Sequence, residues 1–299
     1  MIAILLALIS AIAFGGSDYT AGLASRATSV NRVALAAQAT SLVLSLLIVP
    51  WISPLRLTVA AAAWGAGSGL AGVFGAMMLY LGFRHAAFSV ASTLSAVGSA
   101  ALSVLAGLLL GERPGPLALT GIALAIPAIA AVSASPGADS AGADGPGTPE
   151  AATERVATGR HLKGVSYGLA AGAGFALYFI GLNRAGSGSG LWPVVVGEVV
   201  SVPVLAIVAA ATGQLRLPPP GSRAAAIATG GMGVVGAMTF FVASHKGLLA
   251  VTAVVTSLYP AGTIVLARIL LGEKLNRIRL AGLCLAGASV ALIAVAGVS

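Results

Sequence analysis

The sequence predicts an all-α integral membrane protein, in which ten transmembrane helices form two inverted five-helix repeats. The first observation behind this prediction is composition. Of the 299 residues, 58% are hydrophobic and only 8% are charged, and the mean hydropathy is +1.01. A soluble domain carries about 25% charged residues, so this chain is expected to contact the lipid bilayer. The second observation is length, because apolar runs of roughly 20 residues, enough to cross about 30 Å of hydrocarbon, recur along the chain.

The third observation is an internal repeat. Leu109-Leu110-Gly111-Glu112 returns as Leu270-Leu271-Gly272-Glu273, a displacement of 161 residues from Gly111 to Gly272. The same displacement aligns three glycines and a phenylalanine with identical residues: Gly69, Gly72, Gly75 and Phe14 with Gly230, Gly233, Gly236 and Phe175. The second half of the chain is therefore a diverged copy of the first.

Five spans fall in each half of the chain. They cover roughly 2–24, 33–51, 58–82, 87–110, 117–134, 163–182, 191–212, 224–244, 248–271 and 278–297. An odd number of spans per half places the two copies upside down relative to each other, the inverted repeat of many secondary transporters. The first run has no basic residues before it, so we expect a first span and not a cleaved signal peptide.

The predicted domains are a first repeat at 1–134, a linker at 135–162 and a second repeat at 163–299. The linker is rich in Pro, Gly, Ala, Asp and Glu, and it offers nothing to bury, so we expect it to be flexible.

Lysine and arginine in the loops predict the orientation, because cytoplasmic loops carry the excess. Twelve basic residues lie on the side of the linker: Arg26, Arg32, Arg84, Arg155, Arg160, Lys163, Arg216, Arg223, Arg268, Lys274, Arg277 and Arg279. Four lie on the other side: Arg56, Arg113, Arg184 and Lys246. We therefore expect a multi-pass protein of a bacterial-type inner (plasma) membrane, with the linker in the cytoplasm and both termini outside.

Two carboxylates lie inside predicted spans. Asp18 belongs to the first span and Glu198 to the seventh. A carboxylate in hydrocarbon costs several kcal/mol unless it faces the bundle interior, water or a partner. Both residues are candidates for gating or coupling, by holding a substrate ammonium or a coupled proton. The alternative is a structural role with partners such as Ser17 or Ser201.

Glu112 and Glu273 are interpreted differently, because they lie at turns beside Arg113 and Lys274. A local ion pair at the membrane interface is the expected role for each.

Eight residues are candidates for substrate binding. Histidine near a span end suits a gate or a carboxylate contact, although it also suits the membrane interface. A phenol in the middle of a span requires a hydrogen-bond partner and indicates a polar interior. Hydroxyls that recur along one helix face indicate the same, although each can bond back to its own helix. The candidates are Tyr80, His85, Ser95, Ser99, Tyr178, His245, Thr256 and Tyr259.

Gly65, Gly69, Gly72 and Ala76 form a small-residue face on the third span. Such a face either lets two helix backbones approach closely or leaves room for a cavity, and the sequence leaves both open.

No signature of an enzyme, a cofactor site or a metal site is found in the sequence. The single cysteine, Cys284, permits no intramolecular disulfide, and the three histidines do not form a cluster. The net charge of +8 comes from basic residues scattered singly between spans, so nucleic acid is not an expected partner. The expected partners are a small-molecule substrate and the lipid bilayer, with a monomer as one allowed state.

The chain resembles the drug/metabolite transporter superfamily, in particular its EamA-type ten-helix members. The resemblance rests on Ala13-Phe14-Gly15-Gly16-Ser17 in the first span and on the two Leu-Leu-Gly-Glu segments. The second repeat departs from the opening pattern with Phe175-Ala176-Leu177. The resemblance implies a secondary carrier with a central cavity, lined by spans 1, 3, 4, 6, 8 and 9 and opened alternately to either side.

Within that superfamily, the chain is most similar to exporters of aromatic and neutral amino acids. The expected function is therefore export of amino acids or related small metabolites by alternating access. Two alternatives stay open: an exporter of cationic drugs or other metabolites, and a membrane assembly subunit that transports nothing.

Overall fold

The computed structural model describes residues 1–25, 27–85, 88–133, 150–271 and 277–296. Within these ranges the chain is helical apart from short connections and a 3₁₀ turn at Ser187–Ser189, which confirms the all-α prediction. The helices are α1 (Ile2–Ser25), α2 (Val30–Ile52), α3 (Val59–His85), α4 (Phe88–Leu109), α5 (Pro116–Ser133), α6 (Glu150–Arg184), α7 (Trp192–Ala211), α8 (Pro220–Lys246), α9 (Leu249–Thr256), α10 (Tyr259–Leu271) and α11 (Arg277–Ala296).

The apolar helical stretches match the ten predicted spans. Six are long and apolar enough to cross a membrane: Ile2–Ser25, Val30–Ile52, Val59–Leu79, Val165–Arg184, Trp192–Ala211 and Pro220–Lys246. Four shorter ones accompany them: Leu94–Leu109, Pro116–Ala131, Leu249–Thr263 and Leu280–Ile293.

The predicted ninth span, 248–271, is broken into α9 and α10. Pro260 has no N–H, so the Thr256 carbonyl loses the hydrogen bond that a continuous helix would give it. A tighter turn forms there instead, in which the Leu258 N–H donates to the carbonyl three residues earlier, that of Val255, at 3.2 Å. Pro260 accounts for the lost hydrogen bond at this break, whereas Pro50, Pro127 and Pro203 lie inside unbroken helices.

The sixth helix begins earlier than predicted. Helix α6 starts at Glu150, inside the predicted linker 135–162. Its first turns contain alanine, glutamate and arginine, which favour a helix without any need for burial. Residues 134–149 lie outside the described part of the chain.

Each repeat packs mainly against the other. Helix α1 packs on α8 and α10, helix α3 packs on α6 and α7, and α5 packs on α11. The two repeats therefore form one interlocked bundle. Buried alanine, valine and isoleucine from both repeats make up its largest apolar cluster.

The contacts of two equivalent glycines show the repeat in three dimensions. A Cβ atom on Gly75 would lie 3.0 Å from the ring of Phe175, and a Cβ on Gly236 would lie 2.9 Å from the ring of Phe14. Both pairs are related by the displacement of 161 residues found in the sequence. The small-residue face of α3 serves close helix packing too, because a Cβ on Gly65 or Gly69 would collide with the backbone of α7 at Pro193 or Gly197.

Candidate functional site

Helix α1 has one face toward lipid and one toward the bundle. Leu5, Ile9 and Ile12 are exposed, as expected for side chains that contact hydrocarbon. Ala7 and Ala11, on the opposite face, are 0% and 6% exposed. The helical period therefore identifies which side of α1 faces the bundle interior.

Asp18 lies on the interior face of α1, seven residues after Ala11, yet it is exposed. Gly22, one turn further on, is also exposed, and a Cβ there would meet nothing described within 4 Å. Exposure on the interior face means that these residues face an accessible space inside the bundle. This space lies toward the C-terminal end of α1, whereas the N-terminal end of the same face is closed.

Three of the predicted site residues come together here, with Asp18 exposed, Tyr259 half-buried and Ser95 fully buried. The Asp18 carboxylate is within electrostatic reach of the Tyr259 hydroxyl, and the Ser95 side chain neighbours the same hydroxyl. Ser95 is fully buried, and its Oγ has no hydrogen-bond partner among the described residues. The group combines a carboxylate from α1, a phenol from α10 and a free hydroxyl from α4. We call Asp18, Ser95 and Tyr259 the acidic group.

Ser99 and Thr256 lie deeper, at the break between α9 and α10. The Oγ atoms of Ser99 and Ser257 are 3.3 Å apart, and Thr256 Oγ1 donates to the Ala7 carbonyl at 3.5 Å. Ser99, Thr256 and Ser257 are fully buried. In this conformation these hydroxyls connect helices, and they do not face the open space.

Glu198 forms a second polar group, between α7 and α2. Its Oε1 accepts a hydrogen bond from Ser41 Oγ at 2.7 Å, and its Oε2 accepts one from Gln38 Nε2. The carboxylate is only 8% exposed, and its charge reaches the hydroxyl of Tyr178. Sequence reasoning missed Gln38 and Ser41, although a glutamine inside an apolar span is itself a signal.

The proposed partner Ser201 does not bond to Glu198. Its hydroxyl donates to the carbonyls of Gly197 at 2.7 Å and Gly69 at 3.2 Å. A short hydroxyl on a helix bonds readily to the carbonyl one turn before it, which removes it from other roles.

His245 lies at the end of α8, and one of its nitrogens is occupied by its own helix. Nδ1 is 2.7 Å from the Phe241 carbonyl, and the two rings lie 4.3 Å apart. Nε2 is buried without a hydrogen-bond partner in the described part of the chain. His245 therefore has one nitrogen left for a ligand. The side chains of Tyr80 and His85 lie outside the described residues.

The structure corrects the interpretation of Glu112 as a partner of Arg113. Its Oε1 accepts the backbone N–H of Leu249 at 2.5 Å, and its Oε2 accepts that of Ala250 at 2.9 Å. These N–H groups begin α9 and have no acceptor within that helix. The preceding Leu248 has an apolar side chain that cannot cap it. Arg113 is exposed, and Glu273 lies outside the described residues.

Comparisons with known proteins agree with this architecture. Residues 162–295 match the model of the EamA-like transporter family. One solved crystal structure is similar over 98% of this chain and 96% of its own, with a TM-score of 0.74 and 16% sequence identity. That likeness shows the fold alone. No curated protein matches the chain in sequence.

Proposed function

We propose that this chain, whose residues 162–295 match the model of the EamA-like transporter family, exports aromatic or neutral amino acids or related small metabolites. The match to that family supports a membrane transporter of small substrates. The observation that supports the narrower proposal is the acidic group. Asp18 is an accessible carboxylate on the interior face of a membrane helix, and such residues mark substrate or ion pathways.

The chemistry of the acidic group suits a zwitterion. The Asp18 carboxylate accepts hydrogen bonds from an α-ammonium, and the hydroxyls of Tyr259 and Ser95 donate to an α-carboxylate. Both halves of an amino-acid backbone therefore find a complementary partner within one group.

An aromatic cluster begins one turn from Asp18 on α1. Phe14 lies one turn before Asp18 on α1, and its ring centroid is 6.5 Å from that of Phe179. Phe179 in turn lies 5.6 Å from Tyr178. A substrate with an aromatic or apolar side chain would place that side chain against these rings.

One-sided access to the acidic group supports transport by alternating access. The interior face of α1 is open at Asp18 and closed at Ala7, which is fully buried. By the distribution of lysine and arginine, the open side is the cytoplasm of a bacterial-type inner membrane. A substrate that leaves the cell would enter the acidic group from that side.

The other predicted site residues remain proposals for later steps of the cycle. Glu198 is a candidate for coupling, because it is a buried carboxylate shared between α2 and α7. The remaining candidates for substrate contact are Tyr80, His85, Ser99, Tyr178, His245 and Thr256.

The experiment is efflux of labelled amino acids from proteoliposomes, with and without a pH gradient. We expect export of aromatic or neutral amino acids, and we expect Asp18→Asn to slow it about tenfold, the effect of losing one charged hydrogen bond. Asp139→Asn, in the linker sequence, is the matched control and should leave the flux unchanged. If no amino acid is transported, the proposed substrate class is wrong.

The second candidate is an exporter of organic cations, and the same carboxylate favours it. A lipophilic cation needs only Asp18 and the aromatic cluster, whereas an amino acid also needs the hydroxyls. Ser95→Ala separates the two, because it should reduce amino-acid flux and leave cation flux unchanged.

If acidification changes the rate of transport and Asp18→Asn abolishes that change, transport is coupled to protons.

A further inference from the structure

Helix α4 carries a row of serines that leads from the acidic group toward the closed end of the bundle. Ser95, Ser99 and Ser103 are four residues apart, so they lie on one face of the helix over a length of about 12 Å. All three side chains are 0% exposed. Ser95 belongs to the acidic group, and Ser103 lies two turns further along α4. We call these three residues the serine row.

The serine row faces α9. Ser99 Oγ lies 3.3 Å from the Oγ of Ser257, which directly follows α9. One turn beyond Ser103, a Cβ on Gly107 would lie 3.1 Å from the Cβ of Ala250, at the start of α9. The two helices therefore run antiparallel and in contact. Ser103 lies between these two contacts on the same face of α4, in the seam between α4 and α9.

Two hydroxyls of the serine row make no hydrogen bond of ordinary geometry. Ser95 Oγ and Ser103 Oγ are buried without a partner in the part of the chain that the structure describes. The other buried serines in that part are paired; Ser45 Oγ, for example, donates to the Leu42 carbonyl of its own helix at 2.9 Å. A buried hydroxyl without a partner has lost its hydrogen bonds to water, which disfavours the conformation that buries it. An open seam would restore those bonds to Ser103.

A contact between the two repeats fastens the seam at its far end. Glu112 follows α4, and its carboxylate oxygens accept the backbone N–H groups of Leu249 at 2.5 Å and Ala250 at 2.9 Å. A carboxylate at a helix N-terminus satisfies unpaired N–H groups and interacts favourably with the helix dipole. Gly107 leaves room for this carboxylate, because a Cβ there would collide with Glu112 Oε2. The contact therefore holds α4 against α9 at the end of the seam that lies farthest from the acidic group.

We propose that the seam between α4 and α9 opens to form the exit path, and that Ser103 binds the carboxylate of the amino acid as it passes. The serine row connects the acidic group with the closed end of the bundle. When the seam parts, the Ser103 hydroxyl becomes accessible and donates to the substrate carboxylate, the role that Ser95 has in the acidic group. The exit path rests on the proposed export of amino acids, to which it adds a route and a further binding residue.

Ser103→Ala distinguishes a substrate contact from a packing role. Alanine removes an unpaired hydroxyl from the closed seam, so the thermal midpoint in detergent should hold or rise. It also removes a donor from the exit path, so efflux of amino acids from proteoliposomes should fall about fivefold, the effect of one neutral hydrogen bond. Ser45→Ala is the matched control, because Ser45 is equally buried on α2 and away from the seam. It should leave the flux unchanged.

A cysteine at position 103 reports whether the seam opens. In a Cys284→Ser background, Ser103→Cys places a thiol where the hydroxyl lies. A small, membrane-impermeant methanethiosulfonate is added on the outer side, opposite the opening at Asp18. Labelling should be slow without substrate and should rise severalfold while an aromatic amino acid is exported. Ser45→Cys should remain unlabelled in both conditions.

Glu112→Gln tests the path without any substrate. Glutamine preserves the shape of the side chain but loses the charge, and it presents an N–H₂ to one of the two backbone donors of α9. The seam should therefore open more often, and labelling of Ser103→Cys should rise about tenfold, the effect of one charged hydrogen bond. Ser45→Cys should remain unlabelled in the Glu112→Gln background, which excludes a general loosening of the bundle.

Several results would overturn the exit path. Labelling of Ser103→Cys that changes neither during export nor with Glu112→Gln would mean that the seam does not open. Parallel falls in flux and thermal midpoint for Ser103→Ala would assign Ser103 to packing. A rise in labelling with Glu112→Gln, but with none of the amino acids, would refute the proposed substrate class and leave the path standing.

Discussion

Gly65 allows α3 to approach α7 at a distance that no other residue permits. A Cβ at this position would lie 2.5 Å from the Pro193 carbonyl oxygen and 3.0 Å from its Cα. Both atoms belong to the backbone, at the first turn of α7, so neither can rotate away as a side chain would. To restore ordinary contact at 3.4 Å or more, the two helices would have to separate by about 0.9 Å at the crossing.

The expected cost of Gly65→Ala follows from two opposing effects. Overpacking a well-packed contact costs about 1–3 kcal/mol, and a rigid backbone neighbour argues for the upper part of that range. Alanine stabilises a helix interior by about 1 kcal/mol relative to glycine. We therefore expect Gly65→Ala to lower the free energy of unfolding by about 1–2 kcal/mol. The loss arises where α3 of the first repeat crosses α7 of the second.

Gly67→Ala is the matched control, because it lies on the same helix and a Cβ there would meet nothing described within 4 Å. It should show only the gain in helix propensity. Thermal midpoints of the purified proteins in one detergent should fall by a few degrees for Gly65→Ala and should hold or rise for Gly67→Ala. Equal midpoints for the two variants would refute the close crossing of α3 and α7.

Other predictions use the same measurement. Ser10→Ala should cost about 1 kcal/mol, because it removes a buried hydrogen bond of 2.8 Å to the Gly236 carbonyl. Glu198→Ala should cost about 1–3 kcal/mol, because it leaves the half-buried Gln38 and the buried Ser41 without their acceptor. Ser95→Ala should cost less than Ser10→Ala, since Ser95 Oγ lies beside the Tyr259 hydroxyl but makes no hydrogen bond of ordinary geometry.

The predictions for Ser95→Ala and Glu198→Ala can each be contradicted by the measured midpoint. A loss for Ser95→Ala as large as that for Ser10→Ala would mean that the Ser95 hydroxyl is engaged in the fold and is not available to a substrate. An unchanged midpoint for Glu198→Ala would mean that water satisfies Gln38 and Ser41. Circular dichroism at low temperature checks that all three variants remain helical.

The fold was predictable because its signals are local or periodic. Span length follows from apolar runs, and the inverted repeat follows from one displacement, which later reappears as the matched contacts of Gly75 with Phe175 and of Gly236 with Phe14. The break before α10 is equally local, because Pro260 alone removes the hydrogen bond. It was missed because the apolar run continues across it without interruption.

The acidic group was only partly predictable, and the contact of Glu112 with the start of α9 was not. Asp18, Ser95 and Tyr259 were each singled out because polar groups are costly in hydrocarbon. Their proximity depends on how α1, α4 and α10 pack. For Glu112, a basic neighbour suggested a local ion pair, but the unpaired N–H groups of α9 present a stronger demand. A pairing across 137 residues leaves no trace in a local pattern.

The two halves share their scaffold and differ in their polar chemistry. Under the displacement of 161 residues, Asp18 aligns with Phe179, Ala37 aligns with Glu198, and Ser99 aligns with Pro260. The glycine contacts of Gly75 and Gly236 and the Gly-Glu sequence pairs, by contrast, occur in both halves. A carrier with inverted repeats alternates between two conformations, one open to each side of the membrane. Residues that both conformations need should occur in both repeats. A single substrate, by contrast, needs only one set of binding residues. The unmatched carboxylates and the unmatched proline are therefore where we expect the substrate to be recognised. The matched glycines are where we expect the helices of both halves to stay closely packed.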